Sequence, residues 1–181
     1  MEHVGWAREL ARGLLAESLP RRWSHTQGVA RRAESIARVV GEDAGLLVSA
    51  AWLHDIGYAP PLVVTGFHPL DGARYLRDVE RAGDRLCRLV AHHTCADIEA
   101  RNRGLDAQLC GEFAPPAGLV LDALTYADMT TDPDGVTVDV DTRLSEILSR
   151  YGDGTIVAES IKEARPRIER SARLVLAAVA G

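Results

Sequence analysis

No part of the chain limits its possible folds more than Val48-Ser49-Ala50-Ala51-Trp52-Leu53-His54-Asp55-Ile56-Gly57-Tyr58, where an apolar helix runs into a His-Asp pair and stops at a glycine. A helix of this character belongs in the interior. Its last residues then bring an imidazole and a carboxylate inward, about 100° apart around the helix axis. A cation lying between them can take a ligand from each. A bare buried charge, by contrast, is costly and asks for a partner.

The flanking sequence repeats helical spacing. Trp6, Leu10, Leu14 and Leu15 predict a packing helix that ends at Pro20. Ser24 is a candidate cap for the next helix, whose apolar face carries His25, Val29, Ile36 and Val40 as far as Gly41. Asp43 opens the helix that delivers His54. His68 precedes Pro69, a favoured first helical residue, and Leu86, Leu89, Val90 and His93 share a stripe with His92 one position to the side. Residues 94–118, with Gly104, Gly111 and Pro115-Pro116, read as a loop with some helix and as the expected lid over a site. Leu121, Leu124 and Asp128 then place a carboxylate on a buried face. Asp132-Pro133-Asp134-Gly135 is a turn, followed by one helix through Leu144, Ile147 and Leu148 and a longer one from Ile156 to Val179, kinked at Pro166.

These elements predict an all-α, single-domain helical bundle over residues 1–181, with a motif-bearing core at about 20–135 and C-terminal helices at about 139–180. A composition of 46% hydrophobic and only 5% aromatic residues, rich in Ala, Leu and Arg, argues against an all-β chain. At a net charge of −5 no overall basic field attracts nucleic acid, which is not the expected partner. Cys87, Cys95 and Cys110 form no C-x-x-C pair, and Met1 to Trp6 lacks a signal-peptide pattern. No apolar run is long enough to span a bilayer, so the expected compartment is the cytoplasm.

Three helices thus each point one group inward, His25, His54 and Asp128, with Asp55 beside His54. Mixed imidazole and carboxylate donors suit divalent ions such as Mn, Fe, Co, Ni, Zn or Mg. There is no G-x-x-x-x-G-K phosphate loop, no dinucleotide fingerprint and no G-x-S-x-G elbow. Cys95 has no accompanying base or oxyanion motif. Arg143 and Arg150 lie seven residues apart on one predicted helix face, where they are candidates for binding phosphate or simply solvated charges. The doublets Arg21-Arg22 and Arg31-Arg32 read as surface residues.

The ordered set Trp23-Ser24-His25-Thr26, Leu53-His54-Asp55-Ile56-Gly57, Phe67-His68-Pro69-Leu70-Asp71-Gly72-Ala73, Ala91-His92-His93-Thr94 and Tyr126-Ala127-Asp128 resembles the HD-domain metal-dependent phosphohydrolases. The resemblance implies one metal held by His25, His54, Asp55 and Asp128, and a second held by Asp55, His68, His92 and His93. It implies hydrolysis of a small phosphorylated substrate, such as a nucleotide, by metal-activated water, with Asp55 as the catalytic residue. Tyr58 stands where the family's single-metal nucleotidases carry an acid, which leans toward the two-metal members. The competing expectation is a catalytically silent module of the same type that binds a signalling nucleotide or a protein partner.

Overall fold

Apolar residues at helical spacing close into an all-α fold, with no strand among the described residues, 4–181, of the computed structural model. The first three residues, where the stretch read for a signal pattern begins, lie outside them. The helices are α1 (Val4–Leu15), α2 (Pro20–Ile36), α3 (Ala44–Leu53), α4 (His68–Asp78), α5 (Asp84–His92), α6 (Ala96–Arg103), α7 (Asp106–Glu112), α8 (Leu119–Met129), α9 (Val140–Tyr151) and α10 (Ile156–Ala180). None is long and apolar enough to cross a membrane.

The bundle is built around α3. Every residue from Leu47 to Leu53 is buried, as expected of a helix that is apolar all round, and α1, α2, α5 and α8 pack against it. Burying one Leu or Val side chain contributes about 1.5–3 kcal/mol relative to exposing it, so α3 is fixed in depth and its C-terminal residue pair is fixed with it. A main apolar cluster spans α1 to α8 and takes in Ala172 and Val175 of α10. A second joins Cys95, Ile98 and Met129 to Leu144, Ile147 and Ile168, and so attaches α9 and α10 to the rest.

Several boundaries differ from the sequence reading. Pro20 starts α2 rather than ending α1, because a fixed φ and a missing N–H suit the first helical position. Ser24 is therefore inside α2, and its hydroxyl donates to the Pro20 carbonyl (3.1 Å) rather than capping. Asp43 precedes α3 but does not cap it either, since its carboxylate accepts a fork from Arg85 (2.8 and 2.6 Å). The region 94–118 contains two helices, α6 and α7, whose Ile98, Leu109 and neighbouring Phe113 are buried.

Two glycines allow close backbone approaches. A Cβ on Gly57 would lie 2.0 Å from the His68 carbonyl oxygen and 2.7 Å from the Gly72 nitrogen, and one on Gly28 would lie 2.6 Å from Gly135. The first approach seats the turn after His54-Asp55 on the start of α4; the second seats α2 on the 132–135 turn. Gly57→Ala is expected to lower stability by at least about 2 kcal/mol in denaturant titration. Gly13→Ala, in α1 with nothing within 4 Å of the added carbon, is expected to raise it by about 0.5–1 kcal/mol.

Candidate metal centre

The C-terminal end of α3 delivers His54 and Asp55 to the seam between the two apolar clusters. There α2 adds His25, α8 adds Asp128, the first residue of α4 adds His68, and the turn after α5 adds His93. All are buried except His68, which is nearly so. The donor atoms of His25, His54 and Asp128 lie within 4.8 Å of one another, as do those of Asp55, His68 and His93.

Asp55, a member of the second trio, turns one oxygen toward the first and the other toward its own histidines. Its Oδ2 is 3.4 Å from His54 Nε2 and 3.9 Å from His25 Nε2. Its Oδ1 is 3.3 Å from His68 Nε2 and 4.0 Å from His93 Nε2.

The protons of the rings follow from their backbone partners. A carbonyl oxygen only accepts, so His25 Nδ1 donates to Asp132 O (2.9 Å), His54 Nδ1 to Ala51 O (2.8 Å) and His93 Nδ1 to Val90 O (2.6 Å). In a neutral ring each Nε2 is then left with a lone pair. Burial lowers the pKa of His54, against the opposing charges of Asp55 and Asp128, and lowers that of His68 well below the usual imidazole range, against Asp55. His54 is thus neutral, and its buried Nε2 has no hydrogen-bond partner. An orphaned buried acceptor costs about 1–3 kcal/mol, and a cation is the partner that this lone pair and its carboxylate neighbours fit.

The carboxylates are ionised. Burial alone would raise the Asp55 pKa, but Arg22, His54 and His68 outweigh it and hold the carboxyl well below its ordinary value. Arg22 Nη1 donates to Asp55 Oδ2 at 2.7 Å, while its guanidinium lies 3.9 Å over the Tyr58 ring. Burial likewise opposes the ionised form of Asp128, but His25, whose Nε2 lies 3.1 Å from Asp128 Oδ1, and the nearby His54 lower its pKa overall. Thr94 donates its hydroxyl to Asp128 Oδ2 at 2.5 Å. Thr94 and Cys95 both hold positive φ, 49° and 61°, a left-handed conformation that costs a non-glycine residue about 1–2 kcal/mol and here aims the threonine at the carboxylate.

Among known proteins, a family model described as HD domain matches residues 22–141, more than half of the chain. The chain belongs to the HD-domain family. Its family is one of metal-dependent phosphohydrolases that bind divalent ions. No curated protein and no solved structure matched it.

Of the site residues read from this HD-domain sequence, His25, His54, Asp55, Asp128, His68 and His93 come together. His92 does not. Its Nε2 is bonded to the Phe113 carbonyl (2.7 Å), because α5 ends at His92 and the chain turns before His93. His68 caps nothing: its Nε2 lies 3.2 Å from His93 Nε2, and Tyr58 stacks on its ring at 3.9 Å. The sequence reading missed Arg22. It sits three residues before His25 on α2, hence on the same helix face, which was the available signal. Arg143, read as a possible solvated charge, is 4% exposed and lines the cavity over the site together with Arg150.

The region expected as a lid supplies part of the cavity lining, through Thr94, Ala96 and Glu99, and Ile147, Arg150 and Tyr151 with Val157 and Ile161 of α10 line it as well. Burial pushes the Cys95 thiol up to about 11, leaving no reactive thiolate at neutral pH.

These protonation states give the metal-free protein a pH dependence of defined sign. His54 and His68 have folded pKa values below the ordinary 6.5, so below that value the unfolded chain binds protons that the folded chain does not, and stability falls with pH. The lowered Asp55 and Asp128 values add a further loss, of the same sign, below the ordinary carboxylate value of 3.8. The urea midpoint of metal-free protein is expected to be level from pH 8 to pH 7 and to drop steadily from about pH 6.5 downward. A midpoint unchanged between pH 8 and pH 5 would contradict this assignment.

Proposed function

We propose that the chain is a two-metal phosphohydrolase acting on a small phosphate compound, such as a nucleotide. His25, His54 and Asp128 would hold one divalent ion and His68 and His93 the other, with Asp55 bridging them. The observation that carries this reading is Asp55 itself, a buried carboxylate with one oxygen toward His25 and His54 and the other toward His68 and His93.

Divalent ions bound there would supply Lewis acidity, making water a nucleophile near neutral pH and offsetting charge on phosphoryl oxygens. The chain's own residues do the rest. Backbone carbonyls hold the Nδ1–H groups and so aim the Nε2 lone pairs of His25 and His54 toward one group of donors and that of His93 toward the other. Thr94 orients Asp128, and Tyr58 fixes the plane of the His68 ring. Arg22, whose raised pKa reflects Asp55 prevailing over burial, remains a fixed cation on the cavity wall beside any bound phosphate. Imidazole-rich donor sets favour Mn, Fe, Co, Ni or Zn over Mg.

Purified protein is expected to carry close to two divalent ions per chain by inductively coupled plasma mass spectrometry and to hydrolyse members of a phosphate-ester and nucleotide panel. Asp55→Ala should lose both metal and turnover while keeping its helical circular dichroism. His92→Ala should keep its metals and lose about 1–3 kcal/mol of stability, because the Phe113 carbonyl loses its donor. Hydrolysis retained by Asp55→Ala would refute the assignment.

A further inference from the structure

The cavity over the donor atoms, about 90 Å³, adjoins a larger one of about 320 Å³ between the start of α2, the 132–135 turn and α9. The two share Arg22, His25, Arg143 and Arg150. A ligand with one end at Asp55 can therefore continue into the second cavity past these arginines.

The second cavity is unusual for a chain of net charge −5. Arg21, Arg22, Arg143 and Arg150 line it together with Leu19, Pro20 and Pro133, and no Asp or Glu does. Arg143 is the most telling of the four. Its Nη1 pairs with Glu146, its sole side-chain partner among the described residues. Its Nε is buried without a partner. The Nε–Nη2 edge, which Arg21 uses to grip the Asp134 carboxylate at 2.9 and 3.1 Å, is thus unused in Arg143. That edge is a two-toothed donor suited to a carboxylate or a phosphate. Glu146 also reaches Arg150 Nε at 3.4 Å, so one acid positions both arginines. Both lie beyond residue 141, where the family match ends, and the feature belongs to this chain's own C-terminal helices.

We propose that this arginine-lined cavity holds a second phosphate of the substrate, which makes the substrate a phosphoanhydride such as a nucleoside di- or triphosphate rather than a monoester of an uncharged alcohol. The inference rests on the phosphohydrolase reading above. Hydrolysis forms one P–O bond from water and breaks the bridging P–O bond. The leaving oxygen keeps the electron pair on a phosphate gripped by Arg143 and Arg150, and the protons of the water go to the two product phosphates or to solvent.

The test is calorimetric titration of as-purified protein with imidodiphosphate, a diphosphate that is not hydrolysed, and with orthophosphate, with metal content measured before and after. Wild-type protein is expected to bind imidodiphosphate at least about tenfold more tightly. Arg143→Gln should abolish most of that preference, and Arg150→Gln should reduce it severalfold. Arg150 is about one-third exposed, so the second variant keeps the test readable if the first does not fold. Equal affinity for the two anions, or a preference that survives both substitutions, overturns the inference. Protein that hydrolyses phosphomonoesters without this preference overturns the inference alone. Protein that keeps the arginine-dependent preference but hydrolyses no phosphate compound overturns the phosphohydrolase reading instead.

Discussion

A carboxylate 3% exposed has to be held by positive charge and donors. Asp55 meets that requirement with Arg22 on one oxygen and imidazole nitrogens around both. Much of the local structure serves to keep this arrangement in place. The apolar α3 sets its depth, Gly57 lets the following turn lie against α4 so that His68 arrives opposite, and α2 brings Arg22 and His25 from one face.

The same requirement explains where the backbone is strained. Thr94 and Cys95 adopt consecutive left-handed conformations just where the chain leaves His93 and must reach Asp128. Packing of Cys95 and Ile98 into the second apolar cluster offsets that strain. Stability from α9 and α10 is thereby linked to the geometry of the donor atoms; both helices line the cavity, and α9 supplies Arg143 and Arg150 at its border.

How much of this could be read in the sequence depended on what decides each residue's direction. His25 and Asp128 sit inside α2 and α8, where the period of the apolar residues carries through to them, and His54 and Asp55 follow directly on the buried end of α3. His92 and His93 straddle a helix end, and the period stops at His92; the choice between them is made by a turn, which periodicity does not describe. Arg22 looks the same in sequence as Arg21, yet one is drawn inward by Asp55 and the other reaches outward to Asp134. Charge doublets have no period from which to tell them apart. The helices of the 94–118 region were hidden for a related reason. Glycines and prolines in 94–118 suggested a loop, while Ile98, Leu109 and Phe113 anchor two short, partly exposed helices in the core.

The central claim is that Asp55 bridges two cations. Crystals of protein loaded with manganese or iron, with anomalous diffraction recorded on either side of that metal's absorption edge, test it most directly. The account predicts two anomalous peaks, one among His25, His54 and Asp128 and the other beside His68 and His93, with Asp55 bound to both. A single peak, peaks away from Asp55, or a second site built on His92 would contradict it.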